Sequence, residues 1–179
     1  LASILIKLEA LRMPYPQHPA FSHLKCTITP GTTFSGGEWT GMVPALAKAT
    51  VDVRLMPGQD AQKVIDEMDE IISQEEKARP GLRVDREIPI NLPGAAIPLD
   101  HPLVLSAQKH AQAFTGHEWR AEGAGPANEG YMLIGAGIPT LCGFGANGGN
   151  PHAPDEWVEL ESIPTTMAVY ASIIKDYCA

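Results

Sequence analysis

Gly137-Ile-Pro-Thr-Leu-Cys-Gly-Phe-Gly145 leads, through Ala146 and Asn147, into Gly148-Gly-Asn-Pro-His-Ala-Pro-Asp-Glu-Trp-Val-Glu-Leu160. The first part is a short apolar run bounded by glycine, and Ile138 to Gly143 reads as a buried strand. The second sets one histidine and the acid pair Asp155 and Glu156 among prolines and glycines, residues that punctuate structure rather than continue it. Such a pattern presents a side chain instead of packing one, and the side chain at its centre is His152.

Working outward, Pro164 to Cys178 reads as a closing helix, with Met167, Tyr170, Ile173, Ile174 and Tyr177 at helical spacing. Upstream, Gly123-Ala-Gly-Pro-Ala-Asn-Glu-Gly130 is a turn opening a short helix over Asn128 to Gly135. Asp100-His101-Pro102 starts a further helix, an acid cap followed by proline, with Leu103, Val104, Ala107, Ala111 and Phe114 inward and Gly116 at its end. The proline-, glycine- and alanine-rich loop from Asn91 to Pro98 divides the chain into domains of residues 1–92 and 93–179. Before it come a helix over Leu1 to Met13, strands over His23 to Thr29 and Ala47 to Leu55, an amphipathic helix over Ala61 to Lys77 with a solvated acidic face, and a strand over Leu82 to Ile90. Pro30 and Gly31 are expected to end the first of these strands. That order becomes the split β-α-β sandwich if one preceding strand is supplied, and the first helix, opening without a cap, reads as an interrupted element. Helices alternating with short apolar strands indicate an α/β class, an α+β lid followed by part of an α/β layer.

A formal charge of -8 over 179 residues opposes attraction to nucleic acid or an anionic membrane surface. Cys26, Cys142 and Cys178 are odd in number and widely spaced, which disfavours a disulfide scaffold or a thiolate metal site and fits a reducing, cytoplasmic setting. No apolar run approaches the roughly 18 residues of a membrane span, and no basic-then-apolar leader opens the chain.

The order Gly-Ile-Pro, Phe-Gly, then His-x-x-Asp-Glu at 137–139, 144–145 and 152–156 resembles the C-terminal signature of the M20-type zinc amidohydrolases and metallopeptidases. These include acetylornithine deacetylase, succinyl-diaminopimelate desuccinylase, carboxypeptidase G2-like enzymes and aminoacylase. The resemblance implies a two-domain fold with a lid and dimerisation domain inserted into a zinc-binding catalytic domain. Residues 1–92 would be the lid, lacking its N-terminal strand, and 93–179 the C-terminal part of the catalytic domain. It implies cleavage of the amide bond of N-acyl amino acids or small peptides by metal-activated water, on two zinc ions for which cobalt or manganese can substitute, and a homodimer formed through the lid.

His152 matches a metal ligand of that signature; an isolated histidine is more often a loop residue bonded to a backbone carbonyl, and the surrounding motif reverses that balance. Asp155 and Glu156 either orient its imidazole or cap a helix. Arg54, in Val51-Asp-Val-Arg54, is placed to grip a substrate carboxylate through its two-pronged guanidinium, or to pair with Asp52. Gly125 and Asn128 fall in the family's substrate-side turn, where Asn128 stands in place of an aspartate and also suits a helix cap. Gly145, with Gly148 and Gly149, lets backbone approach a substrate or serves turn geometry. Gly41 replaces the asparagine of a Gly-Gly…Asn-Pro loop, so that amide contact is not carried over. The His-x-Asp and Glu-Glu motifs that bring the remaining ligands and the general base are not in these 179 residues, so no catalytic residue is assigned and the chain alone is expected to be inactive. The competing expectation is a non-catalytic dimerisation or binding module with a vestigial metal site. His110 is expected on a helix surface.

Overall fold

The structure is a computed structural model and describes residues 1–178. It divides into two compact units, Leu1–His18 with Ser22–Gly94, and Pro19–Phe21 with the chain from Ala95 onward. Helices and small antiparallel sheets together give the α/β class expected. No helix among the described residues is long and apolar enough to cross a membrane.

The first unit contains α1 (Ala2–Ala10), β1 (Thr27–Gly36), β2 (Ala47–Arg54) and α2 (Ala61–Ala78). The two strands pair antiparallel, Thr27 opposite Arg54 and Pro30 opposite Val51, and the register shifts before resuming at Phe34 opposite Ala49. Pro30 and Gly31 therefore do not end a strand begun at His23. The strand starts at Thr27 and passes through them, because an irregularity in the ladder accommodates a residue without an N–H followed by a glycine at φ 79°. Thr50 secures the irregular stretch, its hydroxyl accepting the Thr33 N–H at 2.8 Å and bonding the Thr32 hydroxyl at 2.6 Å. Asp60 caps α2 by accepting the Gln62 N–H at 2.9 Å. Ile4, Leu8, Met56 and Val64 are the buried apolar side chains of this unit's core.

The acidic face of α2 is not simply solvated. Glu75 is only 3% exposed and is held by Lys7 at 2.6 Å and by Arg79. Hydrogen bonds from Lys7 and Ser3, with the Arg79 charge, keep its carboxyl below the usual range despite burial. Glu76 accepts the Val84 N–H at 2.9 Å, and Asp69 takes Arg86 in a two-pronged pair at 2.6 and 2.8 Å. These bonds tie the chain after α2 back along that helix, and Leu82 to Ile90 forms no strand. Its apolar alternation is present, but a strand needs a neighbour to take its N–H and C=O groups, and the described residues supply none.

The second unit contains a 3₁₀ turn (Pro19–Phe21), α3 (Pro102–Thr115), α4 (Gly130–Gly135), β3 (Gly148–Gly149), β4 (Trp157–Val158) and α5 (Ser162–Cys178). Its core lies between α3 and α5, where Ala107 and Ala111 meet Val169 and Ile173, with Leu103, Leu141 and Phe144 packed against them. Alanines four apart leave a shallow groove that lets the second helix approach. Phe114, expected inward, is half exposed, and of the apolar residues at helical spacing in α5, Met167, Ile174 and Tyr177 are half or more exposed. The buried stripe of α5 faces α3 and takes Ile173, one of the spaced residues, with Val169. The cap of α3 is His101, whose Nδ1 accepts the Leu103 N–H at 3.1 Å, and not Asp100. Ile138 to Gly143 is irregular; Leu141 is drawn to the core, but no ladder partner among the described residues makes the run a strand.

His110 is also not a free surface residue. Its ring is 16% exposed, and its Nε2 lies 2.8 Å from an Asp176 oxygen that also accepts the Ser106 hydroxyl at 2.8 Å. These bonds from α3, Ser106 first and His110 second, hold the Asp176 carboxyl of α5 below its ordinary value.

Candidate functional site

His152 sits in the loop between β3 and β4, a two-rung ribbon in which Gly148 faces Val158 and Gly149 faces Trp157. A Cβ on Gly149 would come within 2.6 Å of Trp157 Nε1, and one on Gly148 within 2.7 Å of the Trp157 carbonyl oxygen. Both glycines are thus explained by the approach of Trp157. The ribbon is anchored to the start of α5: Ser162 Oγ accepts the Asn147 N–H at 2.9 Å, and the Asn147 amide donates to Glu159 at 2.7 Å.

Within the loop three non-glycine residues are left-handed, Asn150 at φ 54° and His152 and Asp155 each at φ 61°. That conformation is uphill for a residue with a Cβ and persists where surroundings impose it. The His152 N–H donates to the Glu156 carboxylate at 3.3 Å, and the Ala153 N–H to the Asn150 carbonyl at 3.1 Å. The His152 imidazole is exposed and has no hydrogen-bond partner among the described residues. Glu156 therefore holds main chain rather than ring, and neither it nor Asp155 caps a helix, since α5 begins only at Ser162. Gly148, Gly149, Glu156 and Trp157 also line a shallow depression of about 360 Å³.

Asn128, Gly125 and Gly145 lie in the same unit as this loop, and Arg54 in the other. Asn128 closes a turn, its Oδ1 accepting the Gly130 N–H at 2.9 Å and its Nδ2 donating to the Pro126 carbonyl at 3.2 Å, so the helix begins at Gly130 and not at Asn128. Gly125 is exposed in the irregular segment before that turn. Gly145 is exposed with open space where a side chain would stand. Arg54, in the first unit, donates its Nε to Asp52 at 2.7 Å, and both are substantially solvent-exposed. Trp157 and the Ser106–Asp176–His110 cluster were missed as candidates. Ser106 and His110 are four apart on one helix, a legible signal, but Asp176 joins them only through packing.

A hydrolytic zinc ion takes three protein ligands and leaves one position open. His152 offers one suitable donor, but among the described residues no three His, Cys, Asp or Glu side chains are grouped to hold a metal ion.

The model of Peptidase family M20/M25/M40 matches residues 15–176. The chain belongs to this family. Among solved structures, this M20 chain is similar to the M20 family metallo-carboxypeptidase Sso-CP2 from Sulfolobus solfataricus, with a TM-score of 0.62 at 23% identity. The match covers 86% of this chain and 36% of that one, so the M20 chain spans little more than a third of its relative's length. A comparison with curated proteins finds no match.

Proposed function

We propose that this chain belongs to an enzyme that cleaves the amide bond of N-acyl amino acids or small peptides, and that His152 is the metal ligand these residues contribute. The observation that carries the reading is the presentation of His152: an exposed imidazole without a partner among the described residues, on a loop held in an uphill backbone conformation. A structural histidine at an exposed position has no need of such a loop. The rest of the ligand set and the general base would come from polypeptide outside these residues, and residues 1–179 alone would be inactive. When bound, the metal, proposed to be zinc with cobalt or manganese able to replace it, supplies Lewis acidity and an acidified water.

The other roles belong to side chains of this chain. Arg54 would exchange its exposed partner Asp52 for the substrate carboxylate, a small change because an exposed ion pair is worth at most about 1 kcal/mol. Asn128, with Gly125 and Gly145, would border the substrate. Residues 1–92 would form the lid, through which two copies associate.

The test uses the full protein. His152→Ala is expected to lower bound zinc and to reduce hydrolysis of an N-acetyl amino acid by at least about 100-fold, as loss of several kcal/mol of metal assistance requires. Arg54→Ala should instead raise KM for substrates with a free carboxylate. Undiminished zinc content and activity in His152→Ala would end the proposal.

A further inference from the structure

We propose that Glu156 is a positioning residue for His152 that acts on its main chain, latching the loop so that the imidazole is presented in one direction. This rests on the reading of His152 as a ligand. A histidine at φ 61° relaxes to ordinary backbone unless something holds it, and the same is true of Asn150 and Asp155 beside it. The Glu156 carboxylate accepts the His152 N–H at 3.3 Å, closing the chain across four residues with one side chain. Trp157, the next residue, lies over Gly149 where a side chain would collide with its indole, which pins the far end of the latch to the ribbon. The ribbon is in turn bonded to the start of α5 through Asn147, Glu159 and Ser162. A chain of contacts thus runs from α5 to the main chain of His152 and leaves the ring nitrogens uncommitted.

None of these loop residues belongs to the apolar core between α3 and α5. Loss of the latch should therefore change His152 without changing global stability, which separates positioning from a structural role.

The experiment compares Glu156→Ala and Glu156→Gln in the full protein, reading the amide exchange rate of His152 and the affinity for added zinc. Glu156→Ala should speed exchange about tenfold, the loss of one hydrogen bond to a charged acceptor, and weaken zinc binding by about 10- to 100-fold, as removal of a ligand's support does. The melting temperature should stay near wild type. Glu156→Gln keeps an oxygen acceptor and should restore both readings to within about threefold. An unchanged exchange rate in Glu156→Ala overturns the latch whatever zinc does. Faster exchange with unchanged zinc affinity overturns the positioning role. A parallel zinc titration of His152→Ala then separates the two ideas: unchanged affinity there means that the ligand reading has failed as well, and weakened affinity means that only the latch has.

Discussion

Gly130 has no room for a side chain: a Cβ there would overlap the Cys142 sulfur and approach Asn128 Oδ1 to 2.8 Å. Gly130→Ala should therefore cost about 1–3 kcal/mol, the usual penalty for overpacking, measurable by denaturant unfolding. His152 gives the opposite case. His152→Gly removes a left-handed non-glycine residue but adds glycine's conformational entropy, and the two terms nearly offset. Unfolding free energy should stay within about 1 kcal/mol of wild type while zinc content falls. A large loss of stability would mark His152 as structural. That the loop presents His152 was legible from the prolines and glycines around it. The work of Gly148 and Gly149 was not, because their neighbour Trp157 arrives across the ribbon and not along the chain.

The helices show where spacing suffices and where it does not. α2 was bounded closely by its apolar stripe, and Asp60 caps it as such residues do. Its carboxylates could not be sorted by spacing, since Glu75 is buried only because α1 brings Lys7 to it. A lowered folded pKa means stability that is full above the unfolded value and is lost as pH falls through the folded one. The Glu75 contribution should accordingly fade below the ordinary carboxylate value of 4.5, and Glu75→Gln should flatten that acid limb in unfolding followed against pH. An unchanged acid limb would mean that the pairs with Lys7 and Arg79 do not favour the charged form. Between α3 and α5, Ile173→Ala should cost about 2–4 kcal/mol by deleting packing at Ala107 and Ala111. The two expected strands failed for one reason: Leu82 to Ile90 and Ile138 to Gly143 have strand composition, yet composition does not provide a ladder partner.

At the scale of the whole molecule, the chain covers 36% of the solved relative, and metal linkage is the property to test. A ligand that binds only the folded state stabilises by about 2.7 kcal/mol at a hundred times its Kd. Zinc should thus raise the melting temperature of the full protein, and His152→Ala should abolish most of that rise. The same titration on residues 1–179 alone should show little shift, because the grouped donors a metal needs are not among the described residues. A full shift with the short chain would contradict the proposed division of ligands.

By itself the sequence determined the α/β class, the positions of the long helices and the family. Each of these is written in local spacing or in the order of turn residues, which the chain carries wherever it is placed. Tertiary structure alone decided that Glu156 bonds the main chain of His152, that Trp157 covers Gly149, that Glu75 is buried between two cations and that His110 meets Asp176. The Glu75–Lys7 and His110–Asp176 pairings join groups tens of residues apart, so sequence spacing cannot report them. Those in the loop are close in sequence but depend on left-handed backbone and a ribbon register that only the folded chain fixes.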